Sequence, residues 1–320
     1  LASGERKAVF LGNAAVAHPQ FSQLHALAQW VAQQTGATLG FLTEAANTVG
    51  GYIAGALPQG NGLDAAAMLA QPRRAYVLLG AEPEFDTANP AQARAALDQA
   101  DTVVVLAPFA SRAALEYADV LLPTAPFTET SGTFVNCEGL PQSFSGVVRG
   151  LGDSRPAWKV LRVLGNLLNL SGFDYDTSEV VRNDVLAKPV TDRLSNATTA
   201  QIAAPAAAAA GIERLADVPI YHADPIVRRA GSLQLTAAAR AAVRAGLPAD
   251  LFAQLGLANG DAVRVTQGQG SVVLPAVLDK SLASGVIRVS AATEVSAQLG
   301  AMFGAVSVEK VESSALAATV

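Results

Sequence analysis

Short apolar runs alternate with longer stretches of helical periodicity through the first half of the chain. Ala8–Leu11 is a strand candidate ending at Gly12. After Pro19, Phe21, Leu24, Ala28 and Val31 recur at helical spacing until Gly36 stops them. Thr38–Leu42 reads as the next strand. Ala75–Leu79 and Thr102–Leu106 are continuous apolar runs, the pattern of parallel strands covered on both faces. Between them Asn89 is placed to cap a helix with Pro90 at its first position. A further helix is predicted after Ser111, leading into the apolar run Val120–Leu122. Pro123 stops that run, because proline lacks the N–H that a central strand needs. The alternation predicts a doubly wound, mostly parallel α/β sheet.

Farther on, Trp158, Leu161, Leu164 and Leu168 line a helix ending near Gly172, and a shorter helix follows Asp176. Ser195–Gly211 (SNATTAQIAAPAAAAAG) is low in complexity and interrupted by proline, so it reads as a linker or surface excursion. The last third changes period. Val263 and Val265 alternate with Arg264 and Thr266, Gly268–Gly270 turns the chain, and Ser271–Leu278 returns. Val286–Ser290 and Val306–Val308 add two more strand candidates. Short strands with glycine-rich turns predict a small β-barrel. The expected organisation is an α/β domain over 1–190, an Ala-rich linker over 191–222 and a barrel over 223–320.

Composition narrows the classes. Of 320 residues, 51% are hydrophobic and 15% charged, enough for a sizeable core, although alanine supplies much of the apolar count. The uncharged stretch Ala8–Thr43 is broken by His18, Pro19, several Gln and Gly36, so no run of about 20 apolar residues survives and a soluble chain is expected. No signal peptide is visible, and a start without Met suggests a piece of a longer protein. A net charge of −5 without a basic cluster argues against nucleic acid. The single Cys137 excludes an internal disulfide or a thiolate cage for zinc or an iron–sulfur cluster, and fits a reducing, intracellular setting.

The most specific pattern is Ala118–Gly139, ADVLLPTAPFTETSGTFVNCEG. Pro126 opens a loop rich in Thr, Ser and Gly, and the chain re-enters a β-prone stretch at Thr133–Val135. Ala118, Asp119, Leu122, Pro123, Phe127, Glu129, Gly132, Thr133, Asn136, Glu138 and Gly139 resemble the signature of the molybdopterin oxidoreductase superfamily. ANGDAVRV (Ala258–Val265) resembles the start of its C-terminal double-psi β-barrel. The resemblance runs from about Tyr76 to the end, the linker excepted.

Within the superfamily, NTVGGYIAGALP (Asn47–Pro58), AYVLLGAEPEFD (Ala75–Asp86) and DPIVRRAGSLQLT (Asp224–Thr236) resemble the large superfamily-related subunit of bacterial NADH-quinone oxidoreductase, respiratory complex I. That branch has lost the molybdenum chemistry. The resemblance implies a C-terminal scaffold portion without catalytic residues, metal or cofactor of its own. Iron–sulfur clusters would lie in the missing N-terminal part. The implied partners are that part and other peripheral-arm subunits, on the cytoplasmic face of the inner membrane and without membrane insertion. Apolar residues left exposed would be the trace of such contacts.

Departures from the molybdenum enzymes point the same way. Where they usually carry Gly-x-Asn-Pro against the nucleotide end of the cofactor, this chain has Gly80-Ala81-Glu82-Pro83, then Glu84 and Asp86. Carboxylates beside a pyrophosphate repel, at roughly a kcal/mol or more per contact in a low-dielectric site. The family's barrel aromatics have no counterpart in Ser290–Gly300, and Leu140-Pro141 stands where the family usually has Arg after Glu-Gly. The rival reading is a fragment of an active molybdenum or tungsten pterin oxidoreductase. A third is a free-standing small-molecule module using the crevice beyond the strand ends.

Among individual residues, Thr133, Asn136, Glu138 and Gly139 are candidate remnant cofactor contacts, or else they satisfy backbone groups in a tight loop. Cys137, with no Lys, Arg or His near it in sequence, reads as a small buried filler. His18 and His25 lack the i,i+4 spacing of a helical metal pair, and His222 is alone, so all three read as structural or exposed. Arg228 and Arg229 are either an exposed charge pair or a clamp that docks onto the α/β domain through Glu82 or Asp86. No Ser/His/Asp or Cys/His set presents itself, Gly50–Gly55 lacks the dinucleotide spacing, and there is no P-loop.

Overall fold

The computed structural model describes residues 3–204 and 211–318. Parallel strands build its first half, in two sheets rather than one. β1 (Ala8–Leu11) pairs with β2 (Thr38–Phe41). β3 (Ala75–Leu79), β4 (Thr102–Ala107) and β5 (Val120–Pro123) form the second sheet in that order. The helix Phe21–Thr35 joins β1 to β2 and ends where Gly36 turns left-handed. Asn89 and Ser111 cap the helices Pro90–Asp98 and Arg112–Tyr117, accepting from the N–H groups of Gln92 and Ala114.

Register decides what this second sheet buries. Tyr76 lies beside Val103, and Leu78 beside Val105 and Leu121, so these residues share the face on which Met68, Leu69, Ala96, Leu97 and Tyr117 pack. The opposite face carries Val77, Val104 and Val120 in one row and Leu79, Leu106 and Leu122 in the next. Leu106 is buried, but Val77, Leu79, Val120 and Leu122 are exposed. Coverage on both faces therefore fails on the two outer strands.

β6 (Gly132–Val135) and β7 (Pro141–Phe144) form an antiparallel hairpin after the signature loop. The low-complexity stretch then runs as a strap on the first sheet layer. Asn196 donates to the Leu39 carbonyl, Thr198 exchanges two hydrogen bonds with Gln29, and the Ala203 N–H reaches Gln23. The later part of that stretch, 205–210, lies outside the described residues.

β8 (Ile212–Leu215), β9 (Ala245–Leu247), β10 (Ala262–Gln267), β11 (Gly270–Leu278), β12 (Val286–Val289) and β13 (Gly304–Lys310) close a barrel in the order β10-β11-β9-β12-β8-β13. β8 falls inside the stretch read as linker over 191–222: Glu213 and Arg214 break up its apolar signal, yet its backbone pairs with β12 and β13. Val263, Val265, Val272, Leu274, Ile287 and Val289 fill the interior, each stabilising by about 1.5–3 kcal/mol. Among the described residues no helix is long and apolar enough to cross a membrane.

Arg214 is 3% exposed and has no carboxylate partner among the described residues. Burial pushes it down to about 10, which still leaves it charged at neutral pH. Its guanidinium donates to the carbonyls of Val289, Ser290 and Ala301 and to Gln267, at 3.1–3.3 Å, and so ties β8 to the barrel rim. Arg214→Ala leaves these acceptors unpaired and should lower the unfolding free energy by about 3 kcal/mol. A denaturant titration checks this, and an unchanged midpoint would show the hub to be dispensable.

Candidate functional site: a charge clamp beyond β3

At the carboxyl end of β3 the chain turns sharply, with Gly80 at φ +63° and its N–H on the Leu106 carbonyl. Pro83 then starts the one-turn helix Pro83–Asp86, and Asp86 accepts from the Glu82 N–H at 2.8 Å. The partner segment arises from Asp224, which caps the helix Pro225–Arg228 by accepting from Ile226 and Val227. That cap, with Arg228 Nε held on the His222 carbonyl at 2.8 Å, aims both arginines at the β3 loop.

Arg228 Nη1 meets Glu82 Oε2 at 2.5 Å and its Nη2 pairs with Asp86. Arg229 Nη2 meets Glu82 Oε1 at 2.5 Å, and its Nη1 lies 3.1 Å from Oε2. The side chains of Arg228 and Glu82 are only 7% and 6% exposed. Phe85 and Phe109 lie under the two guanidiniums, 5.0 and 4.6 Å from ring centre to Cζ. Glu84 faces away and accepts from Ser111 at 3.0 Å and Tyr117 at 3.4 Å. Of the two readings of the arginines, the geometry is that of a clamp.

Burial opposes ionisation of Glu82, but hydrogen bonds and charge from Arg229 and Arg228 outweigh it and hold the carboxyl below its ordinary range. At Asp86 burial wins over Arg228 and the carboxyl is raised. Burial, then the Arg228 charge, pushes His222 down. It is therefore a neighbour of the clamp rather than a lone residue.

The signature residues do not join this cluster. Thr133 hydrogen-bonds Ser143 across the β6–β7 hairpin at 3.0 Å. Asn136 accepts the N–H groups of Glu138 and Leu140, both at 3.0 Å, and Gly139 supplies the left-handed turn at φ +81°. The Asn136 contacts satisfy backbone groups of the turn, whereas the Thr133 bond joins two side chains. Cys137 is exposed on that turn, which corrects the expectation of a buried filler: the turn's own backbone bonding closes the loop and leaves the thiol outside. Asn47 reaches the same hairpin, accepting from the Val135 N–H at 2.9 Å. Thr133 also lines a shallow polar cleft of about 300 Å³ with Ser143, Ser178 and Arg182.

His18 accepts from the Gln20 N–H and stacks edge-on against Phe303, while His25 lies between Phe21 and Phe41 and bonds Asn196. Among the described residues no three of His, Cys, Asp or Glu gather closely enough to hold a metal ion. The aromatic floor of the clamp escaped sequence reasoning. Phe85 sits between carboxylates in sequence, where only its helical position would have exposed the role.

The molybdopterin oxidoreductase family model matches residues 1–167, more than half of the chain. The chain belongs to this family. The match reaches the N-terminus, ahead of the signature, and ends with the helix Ala157–Leu167. Among solved structures, acetylene hydratase from Pelobacter acetylenicus is similar over 77% of this chain at 15% identity and a TM-score of 0.55, a likeness of fold. The chain spans 46% of that protein's length. The rationally designed protein mkDPBB_sym_86 matches 32% of this chain and 90% of its own at 20% identity, with a TM-score of 0.21 too low to bear on the barrel's fold. No curated protein sequence matches the chain.

Removing Arg228 leaves Asp86 without its guanidinium and Glu82 with Arg229 alone, so Arg228→Ala should cost about 3 kcal/mol and expose the connection to the barrel to protease. Acid acts in the same direction. Glu82, held low in the fold, contributes stability at neutral pH that is lost as the pH falls through its folded value. Asp86, held high, has the opposite sign, so Asp86→Asn should be tolerated better than Glu82→Gln. Thermal melts across acid pH check the order, and an Arg228→Ala melt equal to wild type would remove the clamp.

Proposed function

We propose that the chain is the C-terminal scaffold portion of the large superfamily-related subunit of a bacterial NADH-quinone oxidoreductase, respiratory complex I, carrying no catalytic residue itself. The whole complex would transfer electrons from NADH to quinone, with iron–sulfur clusters in the rest of the same polypeptide. It would sit with other peripheral-arm subunits on the cytoplasmic face of the membrane. The observation that carries this reading is the clamp. Glu82 and Asp86, in the loop where the family meets its nucleotide, are taken up by the chain's own Arg228 and Arg229. The loop therefore serves to join layers of the fold.

A pterin dinucleotide does not fit that loop as it stands. Its pyrophosphate would face Glu82, Glu84 and Asp86, while the two arginines able to balance it are already paired. The second reading, part of a molybdenum or tungsten pterin oxidoreductase, is favoured by family membership.

Mass spectrometry of material that co-purifies with the tagged parent protein from native membranes separates the two. The scaffold reading expects the other peripheral-arm subunits and no pterin. Recovery without those subunits, with a pterin nucleotide bound, would replace it by the second reading.

A further inference from the structure

Apart from Thr102 at its start, the open face of the β3–β5 sheet is aliphatic. Val77, Leu79, Val120 and Leu122 are 55%, 46%, 43% and 36% exposed, around a buried Leu106. Parallel sheets in α/β folds bury both faces under helices, and here the crossover helices cover only the Tyr76–Val103 face.

The face continues onto a helix. Arg155 pairs with Thr124 just beyond the edge strand, and the Ala125 N–H donates to its carbonyl at 2.9 Å, so the helix Ala157–Leu167 starts beside the sheet. Leu122 lines a groove of about 550 Å³ together with Trp158, Val163, Leu164 and Leu167, the last 75% exposed. This is the predicted amphipathic helix, but much of its apolar stripe faces outward.

The groove is also electrically one-sided. Arg155, Lys159 and Arg162 stand in its lining against Asp176. Among the described residues only Arg162 has an ion pair, a loose one of 3.8 Å to Asp176. Trp158 Nε1 and Arg162 Nε are shielded from solvent and have no acceptor among the described residues. Buried donors without acceptors are costly, so the site is short of oxygen atoms as well as apolar cover.

We infer that this face and groove receive an amphipathic helix from the part of the parent polypeptide outside this chain. Its apolar stripe would cover Val77, Leu79, Leu122 and Leu167, and its carboxylates would meet Arg155, Lys159 and Arg162. The inference rests on the reading of the chain as a portion of a longer polypeptide, in keeping with its 46% span of acetylene hydratase. A second copy of this chain is the poorer occupant, because a two-fold contact would place these cations against themselves.

A photo-crosslinking side chain at Leu167, and separately at Val77, in the full-length parent within its native complex tests this. Peptide mapping should find both joined to one segment outside residues 1–320 that carries Asp or Glu beside an apolar stripe. Lys159→Glu, at an exposed position, should lower the Leu167 yield at least tenfold, and Lys159→Arg should keep it. Cross-links to a second copy, to a segment without carboxylates or to no peptide would overturn the inference, as would a yield insensitive to Lys159→Glu. The same cross-link in a parent that purifies without NADH dehydrogenase subunits would uphold the docking while removing the complex I reading.

Discussion

Glu82 and Arg228 set the terms on which the two halves of this protein coexist. Each is withdrawn from water, and an ion so buried loses several kcal/mol of hydration unless its partners are placed well. Here Glu82 receives two guanidiniums, Arg228 bridges two carboxylates, and Phe85 lies beneath. Glu82 and Arg228, the two buried members, depend most on their partners. The helix Pro225–Arg228 must therefore stand where it does, and with it the segment that leads into the barrel. Nearby contacts add to the join: the Met302 N–H on the Ala88 carbonyl, and Phe303 against His18.

Inside the barrel, Arg214 meets the same constraint differently. Among the described residues no anion offsets its burial, and carbonyl oxygens from the end of β12 and the 299–303 loop surround it instead. Four hydrogen bonds to neutral acceptors take the place of a counter-ion around this cation. Specificity of the join and closure of the barrel are in this sense both polar achievements, laid over an aliphatic core that would by itself accept many arrangements.

Much of this was legible in the sequence because it is written locally. Asn89-Pro90, Ser111 and Gly36 are short-range signals for helix ends, and each appears in the structure where its chemistry requires. Strands β3, β4, β10 and β11 are long enough for their apolar patterns to speak. β8 and β9 are not: each has only three or four residues, one with two charges and one with a glycine, and only barrel closure makes them strands. β7 (Pro141–Phe144) has no apolar run to announce it, and its opening proline is tolerated because on a two-stranded hairpin the missing N–H costs little. Pairing Arg228 with Glu82 across nearly half the chain was suggested by complementary charge. The choice between clamp and exposed pair needed the fold.

Two kinds of surface follow from β3 alone, and they differ in completeness. At its carboxyl end the chain's own residues balance the charges, so that end is turned inward and finished. Along its flank, Val77 and Leu79 are left about half exposed, and Val120 and Leu122 share that partly open face. At about 25 cal/mol per Å² of apolar area, a strand that is costly to leave bare on one face is a poor stopping point for a fold. The aligned shortage of acceptors at Trp158 and Arg162 says the same in polar terms. A fold whose charged end is closed and whose aliphatic face is open holds its own halves together and leaves that one layer of β3 unfinished.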